Sequence, residues 1–263
     1  MEDLINPPEN HHQQRHGSDR AGKLFVVGIG PGGPQDRTRR AEEAINQSAV
    51  IVGYKRYLEL IQDLTAGKQL ISSGMMQEVE RCRAAIEQAA AGAVVSLVSS
   101  GDPGVYGMAG LAIELAAEMA PDLAVEIVAG VSAANAAAAR LGAPLMLDYA
   151  VISLSDLLVP WEKIRERLER VSAADLVTAL YNPRSKRRTR QLEEAVEIFL
   201  AHRPGATPVG VATAVGTAEE SLEITTLDRL LTCDVNMRSI VLIGNTTSKT
   251  LGPWLLTPRG YRV

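Results

Sequence analysis

The sequence predicts an α/β protein made of two α/β halves with a ligand cleft between them. Three observations carry that expectation. Short β-rich runs alternate with helical stretches along the chain. Glycine-rich loops stand at three strand-to-helix junctions. The apolar content, 46% of 263 residues, comes from Ala, Val, Leu and Ile, with only 4% aromatic residues. Repeated βα units imply a largely parallel sheet covered on both faces.

Residues 1–22 read as a polar tail holding His11, His12 and His16. His12 and His16 would share a helical face, but a solvated tail is the simpler reading. Residues 23–27 form a strand, followed by the loop Gly28-Ile29-Gly30-Pro31-Gly32-Gly33-Pro34. Residues 35–47 read as a helix, with Pro34 suited to its first turn. A strand at 49–52 and a helix at 55–64 come next. Residues 75–91 form a helix that places Val79, Cys82, Ala85 and Ile86 at core spacing. Then follow a strand at 93–99, a helix at 108–119, a strand at 124–128 and an Ala-rich helix at 132–141.

Gly142-Ala143-Pro144 breaks the pattern, which sets the division there: one half at 23–143, the other at 144–263. The second half reads as a strand (151–154), a charged amphipathic helix (161–171), a strand (176–180) and a helix (186–201). Three successive strands, expected to be antiparallel, close it at 209–214, 221–225 and 240–243.

Composition narrows the function. A formal charge of −4 argues against a nucleic-acid partner, which calls for a basic surface. Two cysteines without metal spacing fit a reducing cytoplasm. No apolar run approaches a membrane span of roughly 20 residues, and residues 1–20 do not resemble a signal peptide. No motif for a resident metal or for hydrolysis is found.

The loops carry the chemistry. Gly28, Gly30 and Gly33 match G-x-G-x-x-G, the dinucleotide fingerprint. Two features oppose a nicotinamide-dependent oxidoreductase. The acid that would hold a ribose after the second strand is absent, and Pro31 removes a backbone donor. The second loop, Ser99-Ser100-Gly101-Asp102-Pro103-Gly104-Val105-Tyr106-Gly107, offers one acid among small residues; Asp102 either meets a ligand or caps the next helix. The third, Gly130-Val131-Ser132-Ala133-Ala134-Asn135, begins a helix at Ser132. Arg184, Lys186, Arg187, Arg188 and Arg190 gather before a helical run, where cations oppose the helix dipole. That placement suggests an anionic small molecule, held by an enzyme or by a non-catalytic anion-binding protein.

These loops, in this order, resemble the tetrapyrrole methylase family from about Gly22 to the carboxyl end. Leu180-Tyr181-Asn182-Pro183-Arg184-Ser185 and Thr257-Pro258-Arg259-Gly260-Tyr261 resemble its precorrin-3B C17-methylating branch. The resemblance implies a homodimer of two α/β domains that binds S-adenosylmethionine folded in the cleft, not in the Rossmann manner. It implies cofactor contacts at Pro31, Ser100, Gly101, Asp102, Val105, Ser132, Ala133, Asn182 and Gly216. It also implies C17 methylation and ring contraction of precorrin-3B to precorrin-4 in cobalamin biosynthesis, or the cobalt-factor III form of the same reaction. The substrate's many carboxylates would meet Arg184, Lys186 and Arg187, with Arg37, Arg39 and Arg40 as further counterparts. Ring contraction moves protons; Tyr54, Tyr106 and Asp156 are the candidates by residue type and cleft position.

Overall fold

The computed structural model describes residues 22–261, and the histidine-bearing tail lies outside them. The first sheet contains β1 (Lys23–Gly28), β2 (Val50–Tyr54), β3 (Gln69–Ser73), β4 (Val94–Ser99) and β5 (Ala124–Val128). All its pairings are parallel, in the order β3-β2-β4-β1-β5. Alternation along β1 sends Phe25 and Val27 toward α1 (Arg39–Gln47) and α2 (Lys55–Glu59). Leu24 and Val26 face α3 (Glu78–Ala90) and α4 (Ala109–Met119). Both faces are therefore dry, as a central parallel strand requires.

The helix expected over 35–47 is broken. A 3-10 turn at Pro34–Asp36 is followed by extended Arg37. The Thr38 side chain then accepts the Ala41 N–H and starts α1 afresh. Arg37, only 1% exposed at its side chain, clamps both Asp63 oxygens at 2.7 and 2.8 Å. It thus anchors the first loop rather than reaching a ligand. Arg39 pairs with Glu43, and Arg40 pairs with Glu126 and stacks on Phe25. The hydrogen bond from Arg37 holds Asp63 below its ordinary pKa of 3.8. This clamp is present above that pH and is lost as pH falls further.

Helix α5 (Ala133–Leu141) runs into the short strand β6 (Gly142–Ala143). The second sheet holds β7 (Tyr149–Ser153), β8 (Val177–Tyr181), β9 (Pro208–Thr213), β10 (Ser221–Thr226) and β11 (Ser239–Ile243) in the order β10-β9-β11-β8-β7. The pairings of β10, β9 and β11 are antiparallel, as expected; β8 also pairs antiparallel with β11, while β7 and β8 run parallel. Helices α6 (Trp161–Ala173) and α7 (Arg190–His202) cover one face. A hairpin of β12 (Lys249–Leu251) and β13 (Trp254–Leu256) joins β6 in a third sheet.

Helix α5 was expected to close the first half. Its Ala134, Ala137 and Leu141 instead pack on Ala179, Ala212 and Leu242 of the second sheet. A division at 143/144 would separate segments that pack together, so by packing it falls at the third glycine loop.

Candidate active site

Because β4, β1 and β5 are neighbours, their following loops emerge side by side at the carboxyl edge, where open α/β sheets collect ligands. Gly30 and Gly101 exchange backbone hydrogen bonds of 3.2 and 2.7 Å, which joins the first two loops. The carboxylate of Asp102 takes the Gly104 N–H at 2.8 Å and the Gly130 N–H at 3.0 Å. It therefore ties the second loop to the third. It does not cap a helix: α4 starts at Ala109 behind Met108, which makes no side-chain cap. The loops meet too closely for side chains. A Cβ on Gly28 would lie 2.6 Å from the Gly101 oxygen and 2.7 Å from the Gly130 nitrogen.

Where this junction meets the second half, a cavity of about 300 Å³ opens between Asp102, Val105, Gly130, Ser132, Tyr149 and Tyr181. Its size falls at the lower end of small-molecule sites. Ser132 caps α5 by accepting the Asn135 N–H. The Tyr181 hydroxyl accepts the Ala134 N–H at 2.9 Å, and burial pushes its pKa up. Gly101 has φ +64°, and a Cβ there would stand 3.7 Å from Ala133 N, within the cradle between the loops. Backbone polar groups, one carboxylate and an open glycine surface suit the sulfonium, amine and ribose hydroxyls of S-adenosylmethionine.

The sequence-derived residues divide accordingly. Asp102, Val105 and Ser132 line the cavity; Ser100, Gly101 and Ala133 adjoin them in the same loops. Asn182, at φ +49°, donates to Ser153 Oγ instead. Gly216 lies at a separate junction, where its oxygen accepts the Gly33 N–H and its N–H goes to Glu220. Pro31 precedes this junction in the first loop. Asn135, Tyr149, Val151 and Tyr181 were not anticipated as lining residues. Tyr181 had a signal, since it lies within the Leu180–Ser185 motif.

Tyr106 clasps the two halves together. Its hydroxyl donates to Val151 O and accepts the Ser153 N–H, both at 3.0 Å, along the free edge of β7. Its ring packs on Tyr181 with centroids 5.3 Å apart. Tyr106→Phe keeps that packing and loses two neutral hydrogen bonds, a loss of about 1–2 kcal/mol. Stopped-flow measurement should show S-adenosylhomocysteine leaving the variant about tenfold faster. Burial raises the Tyr106 pKa, so the clasp is intact below pH 10 and is lost as pH rises through the higher folded value.

Asp156 is likewise committed, accepting from Gln191 at 2.7 Å. Tyr54 packs edge-on against Tyr57 at 5.3 Å and lies under Arg81.

The basic segment also differs from expectation. Helix α7 begins only at Arg190, so Arg184, Lys186, Arg187 and Arg188 lie in a loop and do not oppose its dipole. Arg188 turns inward to Leu154 O and Asn182 O, and Arg190 pairs with Glu194. Arg184 reaches Glu193 at 3.5 Å and leaves a buried Nε without a partner. Lys186 and Arg187 are exposed. A larger groove of about 770 Å³ runs between Leu222, Arg229 and Trp254 in the second half, and none of the sequence-derived site residues line it. Among the described residues, no helix is long and apolar enough to cross a membrane.

A doubly covered parallel sheet whose glycine loops close on a second, mixed sheet defines a two-sheet α/β fold distinct from the Rossmann type. Residues 23–231 match the family model described as Tetrapyrrole (Corrin/Porphyrin) Methylases, and the chain belongs to that family. It is a methyltransferase. It is 45% identical over 238 residues to the probable cobalt-factor III C(17)-methyltransferase of Salmonella typhimurium, covering 90% of this chain and 99% of that one. It is 46% identical over 245 residues to the cobalt-factor III methyltransferase of Priestia megaterium, covering 92% of this chain but 45% of that longer protein. Among solved structures, the methyltransferase CobJ superposes with a TM-score of 0.82 at 36% identity, over 90% of this chain and all of that one.

Proposed function

We propose that this protein transfers a methyl group from S-adenosylmethionine to C17 of a tetrapyrrole in cobalamin biosynthesis and contracts the macrocycle. The observation that carries this reading is the junction of three glycine loops closed by the second sheet. It occurs in a chain 45% identical, over nearly its full length, to a probable C17-methyltransferase. Three relatives named for cobalt-factor III are 45–46% identical, which supports the cobalt-bearing substrate over precorrin-3B. The cobalt then travels within the substrate.

S-adenosylmethionine supplies an already activated methyl group, so no strong protein nucleophile is needed. Asp102 fixes the second and third loops against each other, Ser132 and Ala133 present the start of α5, and Tyr106 holds the cleft to width. Holding donor and acceptor in line can supply roughly 7–11 kcal/mol of the barrier. With Tyr106 and Asp156 engaged elsewhere, Tyr54 is the proposed group for proton movement in contraction. Arg184, Lys186 and Arg187 face the substrate's carboxylates in this reading. Replacing both Lys186 and Arg187 by Ala should raise the tetrapyrrole KM about fivefold, the modest scale of exposed ion pairs. S-adenosylhomocysteine affinity should not change.

Incubation of the protein with labelled S-adenosylmethionine and either cobalt-factor III or precorrin-3B tests the function. A singly methylated, contracted product from the cobalt form, identified by mass, is expected. Turnover of the metal-free form alone would reverse the substrate assignment, and turnover of neither would sink the reading.

A further inference from the structure

A buried guanidinium without a carboxylate partner stands at the carboxyl edge of the first sheet, over Tyr54. The side chains of Arg37, Arg188 and Arg203 are 10% exposed or less, and each has an acid: Asp63, Asp156 and Asp175. Arg81 is 4% exposed as a residue, yet no Asp or Glu oxygen among the described residues comes within 4.0 Å of it. Its acceptors are Ser73 Oγ at 2.7 Å, Gly74 O at 2.6 Å and the thioether of Met108 at 3.3 Å. Its guanidinium also lies over the Tyr54 ring, 5.9 Å from the centroid. A guanidinium has five N–H donors. Three are used here, and one of those meets sulfur, a weak acceptor.

Ser73, Tyr54 and Met108 follow or end β3, β2 and β4, so Arg81 sits under the same carboxyl edge as the glycine loops. In front of it runs a turn that points apolar side chains at solvent. Met75 and Met76 are 68% and 70% exposed, and Met76 holds a left-handed φ of +62°. Gln77 Oε1 and Arg81 pin the turn through the two polar groups of the Gly74 backbone. A strained turn held in place by an uncompensated cation suits a site prepared for an anion with an apolar body.

We propose that Arg81 binds a carboxylate of the tetrapyrrole substrate, with Met75 and Met76 forming an apolar lip against the macrocycle. The carboxylate takes the two uncommitted Nη–H groups and displaces the thioether, a charge-assisted exchange for a weak bond. This rests on the tetrapyrrole reading above. It places one anchor of the substrate in the first half, in addition to the Arg184–Arg187 loop of the second.

The test compares wild type, Arg81→Met and Arg81→Lys in the full chain. Uroporphyrin III, a carboxylated tetrapyrrole, is titrated by fluorescence, S-adenosylhomocysteine by calorimetry, and folding is followed by circular dichroism. Arg81→Met should weaken uroporphyrin binding at least tenfold and Arg81→Lys less. Both should leave S-adenosylhomocysteine affinity within twofold of wild type. Equal uroporphyrin affinity in wild type and Arg81→Met overturns this assignment alone. Loss of the fold in both variants makes Arg81 a structural strut and also overturns it. A wild type that binds S-adenosylhomocysteine but no uroporphyrin sinks the tetrapyrrole reading itself.

Discussion

Asp102→Ala should weaken S-adenosylhomocysteine binding roughly a hundredfold while leaving a folded protein. The carboxylate accepts two backbone N–H groups, from Gly104 in its own loop and Gly130 in the next. Hydrogen bonds to a charged group are worth about 1.5–3 kcal/mol each in net terms. The loss is partly shared, because the Gly30–Gly101 pairing still joins the first and second loops. A net effect of about 2–3 kcal/mol on the cavity corresponds to that hundredfold. Asp102→Asn should fall between, since its amide can serve one of the two donors and faces the other with N–H against N–H. Titration calorimetry measures both. Unchanged affinity in Asp102→Ala would mean that the third loop is held without the carboxylate.

Gly130→Ala should cost more than about 3 kcal/mol of stability and abolish cofactor binding. The added Cβ would collide with the Gly101 carbonyl oxygen and lie 2.8 Å from the Gly28 carbonyl carbon. Both obstacles are backbone at the edge of a buried sheet and cannot rotate away, which places the change at or beyond the upper end of ordinary overpacking. Gly110→Ala is the matched control. Gly110 lies in α4 with nothing within 4 Å of its added Cβ. There the same substitution should stabilise by about 0.5–1 kcal/mol through helix propensity. Thermal melts of the two variants should move in opposite directions.

The strand-to-helix rhythm and the three loops were legible because glycine spacing and β-rich runs are local signals. Strand order is not local. Only the neighbouring of β4, β1 and β5 turns three separate loops into one junction, and no short stretch encodes it. The edge strand β3, Gln-Leu-Ile-Ser-Ser, was missed because it is largely exposed and has no continuous apolar run. That helix α5 packs on the second sheet is illegible for a related reason. With Ala at six of the nine positions 131–139, its sequence has no extended polar face to say which sheet it covers. The cations near Arg184 looked alike in sequence, whereas the fold turns Arg188 inward and leaves Lys186 outward. Arg184 and Arg190 pair with Glu193 and Glu194 of the adjoining helix, whereas Arg188 pairs with Asp156, which only the fold brings near. Arg81 shows the converse: an isolated arginine on an apparently ordinary helix face acquires its meaning only from the acid it lacks.

The central claim is that the methyl donor binds where the glycine loops meet the second sheet. A crystal structure of the complex with S-adenosylhomocysteine tests it most directly. Density for the nucleoside and its amino-acid arm is expected between Asp102, Val105, Ser132 and Tyr181, with the Tyr106 hydroxyl still on the edge of β7. Density instead in the groove beside Leu222 and Trp254, with the loop junction empty, would contradict the account.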